Sequence, residues 1–344
     1  MTKLTVVAIV KGKDHYKTTR TALDLISNKI SRIEKNVLIT PNLLTDKKME
    51  AVVTNPNVCM AIADFLYEKY GLDKNITLGA GTTAGKSMNA VKNNEYLNFS
   101  NTKLLSENPW DVKDLNEDKS GEWFPICTPG LDYEMELGIA DTAIKTDYLI
   151  SAAKLKTHDV LGFTLTLKNL MGALSEGRRI DTKEFVVKGK KTKPQMHGFG
   201  KNNPNTLTIE QNTGLSKLAL AINITRMGKI LFKNRPHLAV LDAITAMEGD
   251  GPLSHGIPKQ LNLIIAGTDV VAVDRVACEI AGSGKKIQYI LQAGKVGIGE
   301  ANLDNIEIIG ESIDNVKNEF KMHRLFKFSE FTQDELKMLD EYTN

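Results

Sequence analysis

Short β-branched apolar runs alternate along the chain with segments of helical apolar spacing, the pattern of parallel strands joined by crossover helices. Leu4–Val10 and Asn36–Thr40 read as strands around a helix over Tyr16–Asn28. Pro56–Tyr70 carries Val58, Ile62, Phe65 and Leu66 at helical spacing, stops at Gly71 and leads into a strand at Ile76–Leu78. Farther on, Asp147–Ala152, Leu238–Leu241, Leu261–Ala266 and Ile306–Ile309 read as strands, and Phe163–Ala173, Val270–Ala281 and Thr332–Tyr342 as helices. The expected fold class is α/β: a Rossmann-like, mostly parallel sheet with crossover helices, open to an arrangement of two lobes around a cleft.

One stretch breaks this rhythm. Asp181–Asn205 holds Lys183, Lys188, Lys190, Lys191, Lys193 and Lys201 among glycines and prolines, with little apolar periodicity. Long irregular segments inside a compact domain are typically flaps or unstructured loops. The expected organisation is one α/β domain over 1–330, with candidate lobes at 1–180 and 206–310, a flap at 181–205 and a C-terminal helix over 331–344.

Composition narrows the partners. Lys and Arg number 44 against 42 Asp and Glu, a net charge of +2, which lacks the basic excess that phosphate neutralisation demands of a nucleic-acid binder. No apolar run approaches the roughly 20 residues of a bilayer span. A cytoplasmic protein with neither nucleic-acid nor membrane partner is expected. Cys59, Cys127 and Cys278 lie far apart without Cys-x-x-Cys spacing, so no iron–sulfur cluster is expected. Oligomeric state and substrate identity are not encoded in any of these features.

In open parallel sheets, ligands sit beyond the carboxyl ends of the strands, and four loops there carry chemistry. Asn42 follows Thr40-Pro41 and could orient a ligand, although an Asx-type turn also explains it. Leu78–Ser87 is glycine-rich and includes Gly81 and Lys86. It nearly matches the phosphate-binding pattern G-x-x-x-x-G-K-[ST], but Ala80 stands at its first position. The densest loop is Lys154-Leu155-Lys156-Thr157-His158, with Lys168 and Asn169 returning on the helix expected after it. Ammonium groups held together need an anion or carboxylates to offset their repulsion, and crowding lowers lysine pKa toward acid–base use. A solvated basic loop is the competing reading. The fourth loop region supplies Asp242, Glu248 and Asp269, a candidate base or divalent-metal set, although Asp269 also suits a helix N-cap. His197 lies in the flap, where closure could deliver it.

The chain resembles the DUF362 family, whose general activity is not established. The resemblance rests on VLITPNLL (Val37–Leu44), Asn55–Gly71 followed by ITLGAG, Asp114–Asp118 (DLNED), SAAKLKTHDVLGFTLTLKNLMG (Ser151–Gly172), and LAVLDAITAMEGDGPLSHG (Leu238–Gly256) followed by LIIAGTDVVAVDRVACEIAG. By position it implies a shared pocket carrying Lys154, Lys156, His158, Lys168, Asn169, Asp242, Glu248 and Asp269. Many relatives also carry ferredoxin-like cysteine segments, which this chain lacks.

The functional expectation is an enzyme for a small anionic metabolite, carboxylate or phosphate, doing proton transfer of the isomerase or lyase type. His158, Lys156 and Glu248 are the candidate catalytic residues. Asn42, Lys154, Lys168, Asn169, His197, Gly81 and Lys86 are the candidate ligand contacts. A divalent metal at Asp242, Glu248 and Asp269 is the candidate cofactor. The alternatives are a nucleotide-dependent transferase using Ala80–Ser87 and a non-catalytic metabolite- or cofactor-binding protein.

Overall fold

A computed structural model describes residues 4–33, 35–72, 75–98, 110–129, 131–198, 209–328 and 330–344. In chain order the strands are β1 (Thr5–Lys11), β2 (Val37–Pro41), β3 (Ile76–Ala80), β4 (Asp111–Asp114), β5 (Ser120–Pro125), β6 (Met135–Ala140), β7 (Tyr148–His158), β8 (Gly162–Thr164), β9 (Leu174–Arg179), β10 (Phe185–Lys188), β11 (His237–Gly249), β12 (Gly256–Gly267) and β13 (Ile306–Gly310). Among the described residues, nine of them form a central sheet in the order β13-β1-β12-β11-β7-β2-β3-β4, with β8 paired to β7. Four form a smaller sheet, β10-β9-β6-β5.

The central sheet is mostly parallel, as the alternation of runs and helices implies. Along its path only β12 runs against its neighbours, pairing antiparallel with both β1 and β11. Its strands bury both faces. Val7, Ile9, Leu149, Ala153 and Leu241 face one core, shared with the helices Ile209–Phe232 and Val270–Ile280 and with the small sheet. Val6, Ala8, Ile150, Ala152 and Val240 face a second core under the helices His15–Leu25 and Pro56–Tyr70. Each of those two helices starts at a side-chain cap, Asp14 accepting from the Lys17 amide and Asn55 from the Asn57 amide. The second helix ends at Gly71 with φ +70°, a left-handed cap.

The segments 1–180 and 206–310 do not separate into lobes within this sheet, because β7 of the first hydrogen-bonds to β11 of the second. The flap contributes β10 and a short helix, Thr192–Gln195, that packs against β9, so its described part is structured. Its residues 199–205 lie outside the described residues. The C-terminal helix runs over Gln333–Thr343.

Two local expectations need correction. The segment Lys154–His158 is not a loop: β7 continues to His158, because β11 and β8 supply hydrogen-bonding partners on either side. Phe163–Ala173 is not one helix but β8, a single turn at Thr166–Asn169 and a 3₁₀ turn at Leu170–Ala173. The β7–β8 hairpin closes at Gly162, with φ +84°, where an added Cβ would lie 2.5 Å from Ile287 and 2.8 Å from Phe326. Only glycine meets both demands. Gly162→Ala is expected to cost about 1–3 kcal/mol through overpacking and backbone strain. A urea titration checks this, and an unchanged midpoint would refute it.

Candidate functional site

β7 is buried along its whole length, and its alternation places Lys154 and Lys156 on the same face, two residues apart. The sheet answers the two ammonium groups differently. Lys154 stands in register with Asp242 of β11, and its Nζ donates to Asp242 Oδ2 at 2.9 Å, both side chains fully buried. Asp242 also accepts from the amides of Asn55 (3.1 Å) and Ile244 (3.2 Å). Lys156 is directed instead to neutral acceptors, Asn42 Oδ1 at 2.8 Å and the Val52 carbonyl at 2.7 Å.

Around Lys156 opens a cavity of about 460 Å³. Asn42, Gly81, His158, Lys168, Asn169 and His197 line it together with Lys156. Seven of the residues expected from sequence to bind or react are therefore gathered in one place. Asn169 is hydrogen-bonded on both sides, its Nδ2 donating to the Thr40 carbonyl (2.8 Å) and its Oδ1 accepting from Asn42 Nδ2 (2.9 Å). The helical turn carrying Lys168 and Asn169 is held at its start by buried Asp274, which accepts from the Thr166 amide (2.8 Å), the Thr166 hydroxyl (2.5 Å) and the Leu167 amide (2.9 Å). Burial nevertheless pushes Asp274 up to about 7.

Burial dominates the site's titration. It pulls Lys168 down to about 8, and Lys193, a further wall residue, down to about 7. It also lowers His158 to about 4, with Lys168 adding to the effect, and His197 to about 3, with His158 and Lys168 adding. Both imidazoles are therefore neutral near pH 7, their rings stacked at 6.0 Å with 16° between planes. His158 Nδ1 lies 3.0 Å from Asp159 Oδ1. With its proton on Nδ1, donated to Asp159, the neutral ring presents Nε2 as a lone pair. The Val160 and Leu161 amides also point at Nδ1, at 3.2 and 3.4 Å, and the Val160 amide donates to Asp159 Oδ1 at 2.9 Å. The Lys168 side chain makes no hydrogen bond or ion pair among the described residues, and Asp159 is the carboxylate whose charge acts on it.

Five expected residues stand elsewhere. Lys154 is held by Asp242, away from the cavity wall. Glu248 accepts from Lys259 Nζ (2.7 Å) and the Lys321 amide (3.1 Å), fastening the β11–β12 hairpin to the C-terminal segment. Asp269 caps Val270–Ile280, accepting from Val271 and Ala272, and also takes the Glu300 amide. Because β12 is antiparallel, its carboxyl end pairs beside the beginning of β11, across the sheet from the cavity. Asp242, Glu248 and Asp269 thus form no common ligand set, and no group of three or more His, Cys, Asp or Glu suited to a metal occurs among the described residues.

Lys86 is exposed, and its amide donates to Asp46 Oδ2 at 3.3 Å. An added Cβ on Gly85 would lie 2.0 Å from the Asp46 carboxyl carbon. The protein's own carboxylate therefore fills the place a phosphate would take in that loop.

The structure adds residues not singled out from sequence. Lys193 Nζ donates to Asn116 Oδ1 and to the Leu174 carbonyl, drawing the flap helix over the cavity. Its spacing of four residues from His197 puts both at one end of a helical turn, a signal the lysine-rich background hides. Asp159, next to His158, and the apolar wall of Met171, Pro252 and Leu253 are the other additions.

A family model described as "Domain of unknown function (DUF362)" matches residues 37–279, a stretch that contains every residue lining the cavity. The chain belongs to the DUF362 family. A curated relative, the "Thylakoid-associated protein sll1697" of Synechocystis sp. (strain ATCC 27184 / PCC 6803 / Kazusa), is 28% identical over 249 residues, 71% of this DUF362 chain and 62% of the relative. The chain thus spans less than two-thirds of that protein. Among solved structures, the lactate racemase apoprotein from Thermoanaerobacterium thermosaccharolyticum is similar at TM-score 0.42 and 16% identity, covering 81% of this chain and 57% of that one. Among the described residues of this DUF362 protein, no helix is long and apolar enough to cross a membrane.

Breaking the Lys154–Asp242 pair from one side strands a buried charge. Lys154→Met is expected to cost about 3–5 kcal/mol, and adding Asp242→Leu to recover part of that loss. Chemical denaturation of the two variants tests this; a single variant as stable as the parent would show that the pair is not held in the interior.

Proposed function

We propose that this chain is an enzyme that binds a small anionic metabolite, a carboxylate or phosphate, and moves a proton on it. One observation carries this reading: Lys168 presents an ammonium that makes no hydrogen bond or ion pair among the described residues to a cavity whose wall also holds two neutral imidazoles. The wall carries Lys168 and Lys193 against one carboxylate, Asp159, beside a Lys156 that burial pushes well below the ordinary lysine range. A bound anion would supply the missing negative charge.

The roles follow from the donors and lone pairs. Lys168 and Lys193 attract the anion, and Asn42 and Asn169 fix the floor beneath it. His158, steered by Asp159, accepts a proton at Nε2, in the manner of an imidazole held by a carboxylate. His197, stacked on His158 and kept neutral by burial, is a second imidazole at the wall. Lysines near 8 and 7 are matched to returning a proton at neutral pH. Glu248 has no part in this scheme, since Lys259 and the Lys321 amide hold it elsewhere.

A thermal-shift screen of the intact protein against inorganic phosphate and small mono- and dicarboxylates tests the reading. A ligand at 100 times its Kd adds about 2.7 kcal/mol of stability, and Lys168→Met should abolish the shift. Affinity for a carboxylate should be full below about pH 6 and decline between about pH 6 and 9, as Lys193 and then Lys168 lose their protons. Affinity that is flat or rising across that range would refute the lysine clamp. With a substrate from the screen, His158→Gln should lower turnover about 10²–10⁴-fold while leaving binding intact. Retention of full function in that variant would favour a carrier over an enzyme.

A further inference from the structure

We infer that Lys156 is a nucleophilic amine that forms a Schiff base with the carbonyl carbon of an aldehyde or 2-oxo acid entering the cavity. The anionic group of such a substrate rests on the reading above; the amine stands on geometry of its own.

That geometry begins at the Thr40 carbonyl, which can only accept. It therefore fixes the Asn169 amide nitrogen toward itself, at 2.8 Å. The Ser151 hydroxyl agrees, because it spends its hydrogen on the Thr166 carbonyl and can accept from the same nitrogen at 3.2 Å. Asn169 Oδ1 is then left to Asn42 Nδ2, and Asn42 Oδ1 to Lys156 Nζ. The Val52 carbonyl is the second acceptor for Nζ, at 2.7 Å. Two fixed acceptors match the two hydrogens of a neutral amine, and the remaining direction belongs to its lone pair.

Nothing nearby calls for a third proton. Among the described residues no carboxylate pairs with Lys156, and the charged groups that act on it are the cations Lys168 and Lys154. Burial, with those two lysines, pushes its ammonium form well below the ordinary lysine range. Lys154, two residues away on the same strand, provides the contrast, since Asp242 keeps a carboxylate against it at 2.9 Å. A desolvated lysine beside other cations is how a protein makes an uncharged, nucleophilic amine at neutral pH. Lys156 stands in the cavity wall but is wholly buried there, so a small carbonyl compound meets Nζ only as the side chains around it give way.

The step balances. The Nζ lone pair forms a C–N bond while the carbonyl π electrons move to oxygen, which takes a proton from the Lys168 ammonium. His158 Nε2 accepts a proton from the nitrogen and passes one to the hydroxyl group. Water departs as the C=N bond forms, and the second nitrogen proton restores Lys168.

Reductive trapping on the intact protein at pH 7 tests this. Sodium cyanoborohydride delivers hydride to the imine carbon and fixes the adduct as a secondary amine, which peptide mass mapping locates. With limiting glyoxylate or with formaldehyde, Lys156 should be modified at least about tenfold faster than exposed lysines such as Lys86. Inorganic phosphate and Lys168→Met should slow glyoxylate more than formaldehyde, since formaldehyde loses only the proton donor and the charge that holds Lys156 unprotonated, whereas glyoxylate loses its anion site as well. Asn42→Asp, which places a carboxylate beside Nζ and favours the ammonium, should slow both. Adducts confined to exposed lysines with both reagents would overturn the inference, and a thermal shift with glyoxylate in that case would leave the anion-binding reading standing. Labelling of Lys156 by formaldehyde, with no preference for glyoxylate, would support the amine and refute the anion clamp.

Discussion

Two lysines on one face of a buried strand set the terms for everything around them. An ammonium removed from water needs a counter-charge or must give up its proton, because the interior offers too little solvation to hold it alone. β7 meets both demands within three residues. Lys154 finds Asp242 in register on β11, so the pair can stay charged. Lys156 is offered an asparagine oxygen and a peptide carbonyl, neutral groups that favour the uncharged amine. The cavity lies on the side of the second lysine, where the chain has left electrostatic demand unmet.

The parts that hold this arrangement are rigid. The loop after β2 brings Asn42, the turn at Thr166–Asn169 brings Asn169 and Lys168, and Asp274 from a core helix fixes that turn by its first amides. Gly81, following β3, meets Gly172 backbone to backbone; a Cβ there would lie 1.8 Å from the Gly172 oxygen. Polar wall residues are thus carried by elements whose apolar sides are locked into two cores, one on each face of the sheet. Reactive groups held this way keep their geometry without relying on a ligand to impose it.

Legibility in the sequence follows the same physics. Pro56–Tyr70 is readable to both ends because Asn55 caps it and Gly71 stops it. The direction of β12 is not readable: a strand near the middle of a sheet is largely apolar whichever way it runs, and its reversal carries Asp269 to the far edge. Lys154-Leu155-Lys156-Thr157-His158 alternates as a strand should, yet charged residues at every second position read as a solvent face, so the continuation of β7 is hidden until its partners are known. The small sheet escapes notice because β5 and β9 mix glycine with glutamate or arginine among few apolar residues, and β10 is only four residues long inside a lysine-rich stretch. Asn42 follows the end of β2 and His197 lies in the irregular flap, so both stand out in the sequence; Lys156, His158, Lys168 and Asn169 stand out by their density, although β7 runs on through the first two and a helical turn carries the others. Glu248 and Asp242 were misplaced because a partner lysine is invisible in a linear pattern.

Charge in the cavity is coupled, and the coupling gives an order of events. With the cavity unliganded, the positive charge of Lys168 helps keep Lys156 unprotonated. An incoming anion shields that charge and would raise the proton affinity of both lysines. A carbonyl compound that carries its own carboxylate brings the electrophile in the same encounter, so the amine meets its reaction partner as the shielding begins. Once nitrogen is committed to C=N, its basicity no longer follows the free lysine, and protonation turns the imine into an electron sink for a proton removed from the adjacent carbon. His158 Nε2, held by Asp159, is the base on hand for that removal. Uncharged imidazoles, the amine inferred at Lys156 and a Lys168 ammonium opposed by the charge of Asp159 would then be complementary, each lacking what an anionic carbonyl compound supplies.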